Sequence, residues 1–184
     1  MAKSSVQPVL QKAEKHAKFL RDRAKVAPGE PLDPRAAAEE LGIQVTYPNG
    51  NGHAEEEREW LANADASVWS AVSRNLPDGD LLVVLNENQT PERERVTIME
   101  EVAHDHYGHD PTELGANGER EYDEETEKEA YWTAAAALLP KKVVAMAVYH
   151  EVPASQLAAC YGTSRELVEM RIKLLKLWSH HKND

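Results

Sequence analysis

Glu100, Glu101 and His104 stand in the run Val96-Thr97-Ile98-Met99-Glu100-Glu101-Val102-Ala103-His104. On a helix, at about 100° per residue, these three share a sector of about 100° with Thr97. Val96, Ile98, Met99, Val102 and Ala103 take the opposite side, where they can pack into a core. Glu100 and His104 are one turn apart and can reach the same cation. Glu101 lies beside them, placed to act on a metal-bound water without being a ligand. That is the geometry of the His-Glu-x-x-His zinc helix, in which residues i and i+4 bind the ion and the intervening glutamate is general base. Here a glutamate occupies the first histidine's position. A carboxylate oxygen reaches zinc at nearly the distance of an imidazole nitrogen, so the exchange is sterically tolerable. The added negative charge makes the ion a weaker Lewis acid. By itself, the short pattern is weak and is more often a solvated helix face bearing two acids and one histidine.

A second acidic run, Asp123-Glu124-Glu125-Thr126-Glu127-Lys128-Glu129, opens a helix that becomes almost wholly apolar in AYWTAAAALL. Carboxylates in a first turn favour the positive end of the helix dipole. Glu129 lies past that turn, on one stripe with Glu125, Thr133 and Ala136, where the helix enters the core. A carboxylate there needs a partner, and a metal ion is a candidate. His106 projects about 160° away from His104 on a continuous helix, which removes it from that face. His109 follows Gly108, off the helix, and either closes a metal site or takes no part in one. Glu125 and His109 are the accessory candidates.

The elements that must hold these residues are legible in outline. Apolar positions at helical spacing (Val9, Leu10, Ala13, Ala17, Leu20) predict a helix over residues 6–25, ended by Pro28-Gly29. Asp33-Pro34 starts a second helix that stops at Gly42, and residues 43–47 alternate like a strand. Residues 49–52 form an Asn-Gly turn, and the charged stretch 53–65 takes no assignment. Residues 66–73 and 81–85 read as strands joined across Pro77-Asp78-Gly79-Asp80. Thr90-Pro91 is a helix start, and Gly108 stops that helix after Tyr107. A polar loop, 110–118, leads to the helix over 122–139, ended by Pro140. Three short helices follow, over 141–149, 154–161 and 164–178, and 180–184 is a frayed tail. The chain is α+β, with helices, a small antiparallel sheet and then helices.

With the elements in place, RVTIMEEVAHDHYGH resembles the RFTLAHELGH segment of the ImmA/IrrE metallopeptidases. EKEAYWTAAAALLP is similar to that family's EANxFAAxLLMP segment, which sets Glu129 on its third-ligand glutamate and Pro140 on its terminal proline. DPRAAAEELGIQV, LLVVLNENQTPERE and VPASQLAACYGTSRELVEMRI resemble its helix-to-strand start, the strand before its active-site helix and its closing helices. The departures are Glu100 for the first histidine and Tyr131-Trp132-Thr133 for the Asn-x-Phe portion. The resemblance implies a zincin-like domain over residues 1–140 and a helix-turn-helix-like segment, 141–184, packed on it. It implies a metal site of Glu100, His104 and Glu129 holding Zn2+, with Mn2+ as the alternative, and Glu101 as general base. It also implies a protein substrate, a helix-turn-helix repressor cleaved in a stress or mobile-element response. A catalytically silent binding module of the same fold is the second reading, and a DNA-binding regulator the third. A di-iron carboxylate site would need a second Glu-x-x-His, which the sequence lacks.

Composition narrows the partners. Among 184 residues the net charge is −11, with 32 acidic and 21 basic side chains, so phosphate backbones are repelled unless a local basic patch intervenes. Gln156 to Val168 has the spacing of a helix-turn-helix, with Ala158 at the crossing and Gly162 at the turn. Its recognition positions hold Arg165, Glu166 and Glu169, a mixed set that disfavours DNA, and no nucleic-acid-binding residue is assigned. The same spacing also fits a three-helix packing unit that never meets DNA. Cys160 is alone, which excludes an internal disulfide and a cysteine-based zinc knuckle. No apolar run approaches the roughly 18 residues of a membrane span, and residues 1–25 lack a signal-like apolar stretch. The expected location is cytoplasmic.

Overall fold

The computed structural model describes residues 6–48, 69–77, 79–109 and 123–178. The expected turn at 49–52, the stretch 53–65, the loop 110–118 and the tail 180–184 lie outside the described residues, as do residues 66–68 of the expected strand. The chain is α+β. Helices α1 (Val6–Arg23) and α2 (Pro34–Glu40) precede strands β1 (Ile43–Thr46), β2 (Ala71–Asn75) and β3 (Leu81–Leu85). Helices α3 (Pro91–Tyr107), α4 (Glu124–Leu138), α5 (Lys141–Tyr149), α6 (Ala154–Tyr161) and α7 (Arg165–Leu174) follow. No described helix is long and apolar enough to cross a membrane.

The sheet departs from the antiparallel expectation. Its order is β1-β3-β2: β2 pairs antiparallel with β3, but β1 pairs parallel with it, from Ile43 opposite Leu81 to Thr46 opposite Val84. The sheet is therefore mixed. β3 lies in the middle and is buried at every position, so its Leu-Leu-Val-Val-Leu run shows no alternation. Strand direction is set by which edge of β3 the chain returns to, and side-chain pattern alone does not encode that.

Two end signals hold as expected around the acidic segments. Thr90 caps α3, its side chain accepting from the Arg93 amide, and Gly108 closes it in the left-handed region at φ 68°. Asp123 caps α4 by accepting from the Glu125 amide. The outer helices are shorter than periodicity suggests. α1 ends at Arg23, with Lys25 left-handed at φ 57°, and α7 ends at Leu174, with Lys176 at φ 59°.

α4 runs between α1 and α3, and its alanines explain how both neighbours approach it. Ala134, Ala135, Ala136 and Ala137 are all buried, and small side chains let helix axes come close. Ala17 and Leu20 of α1, Met99 and Val102 of α3, and Leu167, Val168 and Ile172 of α7 join the same core. Two buried arginines serve the end of α4, where helix carbonyls lose their intrahelical partners. Arg21 donates to the Ala137 carbonyl at 2.8 Å, and Arg171 donates to the Leu139 carbonyl at 3.1 Å. Arg171 is fully buried and pairs with Glu14 of α1 at 2.5 Å. Removing one partner of such a pair strands the other, so Arg171→Leu is expected to lower stability by about 3–5 kcal/mol in urea unfolding followed by tryptophan fluorescence. A loss below about 1 kcal/mol, the range of surface pairs, would show that the link is not structural.

Candidate functional site

α3 delivers its chemistry through both covered sides. Val96, Ile98, Met99, Val102 and Ala103 are buried as their spacing requires. Thr97 and Glu101 are buried as well, because the sheet and α4 cover the sector that holds the polar residues. Thr97 donates from its hydroxyl to Gln89 Oε1 at 2.8 Å. Glu101, 6 % exposed, lines a cleft of about 230 Å3 with His104, Asp105, His109, Ser73, Asn75 and Leu81. β2 supplies Ser73 and Asn75 and is an edge strand of the described sheet.

His104 and His109 meet where α3 ends. Because Gly108 turns the chain back, the His109 amide bonds to the His104 carbonyl at 3.0 Å, and the two Nδ1 atoms also lie 3.0 Å apart. His104 Nε2 stands 3.8 Å from Glu127 Oε2, and His109 Nε2 stands 3.6 Å from Glu129 Oε2. The other Glu129 oxygen lies 2.5 Å from Lys12 Nζ of α1. The result is a chain of polar groups, Glu127–His104–His109–Glu129–Lys12, bridging three helices. Between two neutral imidazoles one Nδ1 donates and the other accepts. One ring therefore presents a bare Nε2 to its glutamate and the other presents Nε2–H.

This set fits a metal in kind and in spacing. Imidazole and carboxylate are zinc donors at about 2.0–2.2 Å, so a nitrogen and an oxygen bridged by one ion lie somewhat under about 4 Å apart. The 3.6 Å and 3.8 Å gaps match that span and are too long for hydrogen bonds. As they stand, the donors are strung out: among the described residues no three His, Cys, Asp or Glu side chains gather around one point.

The other sequence candidates are placed as follows. Glu100 is half-buried on α3 and faces α4. Burial first, and then its charge, raises the Tyr131 phenol above its ordinary value. Glu125 is exposed in the first turn of α4. His106 points away from His104 and meets His16 of α1, Nε2 to Nδ1 at 2.7 Å, with Phe19 stacked on its ring. Burial, then Lys12 and Lys15, lowers His16; burial, then His16, lowers His106. Both rings are held toward the neutral form, which lets one donate to the other. Periodicity did not single out Glu127, Lys12 or Tyr107. Glu127 is two residues from Glu129 and so on a different face of α4, and Lys12 belongs to another helix. Tyr107 is held by Thr133, hydroxyl to hydroxyl, at 2.8 Å. Burial, then Glu129, raises the Tyr107 phenol, while the Thr133 bond lowers it.

The helix-turn-helix spacing folds as a turn held by the main body. Gly162 caps α6 at φ 61°, and a side chain there would meet Arg95 Nε of α3 at 3.1 Å. Ser164 caps α7 by accepting from the Leu167 amide at 3.1 Å. At the start of α7, Arg165 is held by Glu169 at 2.8 Å.

No curated protein matches the chain. The family model for the IrrE N-terminal-like domain, a peptidase domain, matches residues 38–173, from the end of α2 through nearly all of α7. Both halves of the polar chain carried by α3 and α4 fall inside that stretch, and α1 falls outside it. The chain belongs to the ImmA/IrrE metallopeptidase family.

Proposed function

We propose that the protein is a metal-dependent endopeptidase acting in the cytoplasm, with Glu101 as its general base. The observation that carries this reading is the burial of Glu101 in one cleft with His104 and His109, beside an edge strand. His104, Glu129 and Glu100 would hold the ion, with His109 and Glu127 as further donors in contact with that set. A divalent ion such as Zn2+ or Mn2+ supplies, when bound, Lewis acidity toward a peptide carbonyl and toward water. Glu101 accepts the proton of the attacking water from its place in the cleft. The same group then returns that proton to the leaving amine. In the described sheet β2 is an edge strand, so an extended peptide would pair with it, set in register over the cleft by Ser73 and Asn75.

The substrate in this reading is a helix-turn-helix repressor, whose cleavage releases a stress or mobile-element response and so regulates transcription. The support is the family. DNA is not a partner in this reading, because Glu166 and Glu169 lie at the start of α7 and Glu169 neutralises Arg165. One observation favours the silent binding module instead: Glu129 already has a cation, Lys12. The test is elemental analysis of untagged protein incubated with zinc or manganese, followed by co-expression with helix-turn-helix repressors encoded near the gene. About one bound ion and loss of the repressor band support the peptidase. Capture of an intact repressor, with or without a bound ion, supports the silent module, and protein that stays metal-free ends the peptidase reading.

A further inference from the structure

We propose that α1 carries a built-in competitor for the metal: Lys12 seats its ammonium on Oε1 of Glu129, and a divalent cation must compete with it for the charge of that carboxylate. The inference rests on the metal-dependent reading above and adds the group that controls occupancy of the site.

Lys12, His16 and Phe19 recur at i, i+4 and i+7, one stripe beside the buried face of Leu10, Ala13, Ala17 and Leu20. The buried face fastens α1 to α4, and the stripe is thereby laid along the last turns of α3. Each member of the stripe makes a specific contact there. Phe19 stacks on His106, His16 bonds to His106 at 2.7 Å and lies 4.8 Å from the Tyr107 ring centroid, and Lys12 sits 4.9 Å over the Tyr107 ring. Lys12 thus approaches Glu129 from a fixed direction, with the Tyr107 ring face as a second attraction for its charge. Tyr107 is in turn fixed by Thr133 of α4.

The two side chains differ in freedom. Glu129 is 17 % exposed and needs a positive partner; Lys12 is 49 % exposed and can turn its ammonium into water. A cation of charge two, supported by the His109 nitrogen 3.6 Å from the other Glu129 oxygen, can outcompete an ammonium of charge one. In exchange, Lys12 returns to solvent with little steric cost. α1, which carries Lys12, lies outside the residues that match the family.

The experiment uses the full chain, stripped of metal and titrated with Zn2+ against a chromophoric chelator. Lys12→Met keeps the apolar stem and removes the charge, and it is expected to tighten zinc binding by about tenfold or more, about 1.4 kcal/mol. Lys12→Arg retains a cation on Glu129 and is expected to stay near wild type. Lys18→Met removes an exposed charge of the same helix that is paired with Asp22, and it is expected to change nothing. Thermal unfolding of the metal-free proteins checks that each variant is folded, and Lys12→Gln repeats the test with a shorter neutral side chain. Equal zinc affinity in wild type and Lys12→Met, or equal tightening by Lys12→Arg, overturns the competitor and leaves the metal site standing. Absence of zinc binding by every protein overturns the metal-dependent reading and the competitor with it.

Discussion

Glu101→Gln is expected to remove most repressor cleavage, by about 10²–10⁴-fold, while leaving zinc affinity nearly unchanged. Glutamine has the same shape, so it fits the buried position between α3 and the sheet without repacking. Its amide cannot take the proton of the attacking water. If Glu101 is a base and not a ligand, cleavage and metal binding separate in this one variant. The measurement follows the repressor band on co-expression, together with the zinc titration, for wild type and variant. Cleavage that persists in Glu101→Gln would assign the activity to another base or another protease. Lost zinc binding would make Glu101 a ligand.

His104→Ala is expected to weaken zinc binding by more than about 100-fold. Loss of groups that only orient a ligand already costs about 10–100-fold, so loss of a ligand should cost more. His104 is also an inner link of the polar chain, with one ring nitrogen toward His109 and the other toward Glu127. Its removal breaks the link from Glu127 to His109, while the contacts of Glu129 with His109 and Lys12 are untouched. The fold should survive, because the apolar face of α3 is untouched. Zinc affinity from chelator competition, alongside the far-ultraviolet spectrum, checks both halves of the expectation. A folded His104→Ala protein with wild-type affinity would place the metal elsewhere, and His109→Ala would then be the variant that loses it.

The sequence by itself determined what short-range physics controls. Thr90-Pro91 and Gly108 delimited α3, Pro140 marked the end of α4, and the apolar spacing of each announced which residues would be buried. Cap chemistry and helical periodicity act within a few residues, so they survive removal from the fold. The displacement of His106 from the His104 face was legible for the same reason, because it follows from helical rotation alone. The family was legible too, since two motif segments and their order outlast the exchange of one histidine for Glu100.

Tertiary structure decided everything that depends on which surfaces meet. The parallel pairing of β1 with β3 follows from the path of the chain between them. Burial of Glu101 and Thr97 follows from the sheet covering a sector that looks polar on a helical wheel. Glu127 came to His104, and Glu129 to His109 and Lys12, because α4 packs between α3 and α1 with alanines that permit close approach. A helical wheel fixes the direction in which a side chain leaves its own helix. The partner it finds is set by where the neighbouring helix crosses, and that depends on side-chain volumes summed over the whole core.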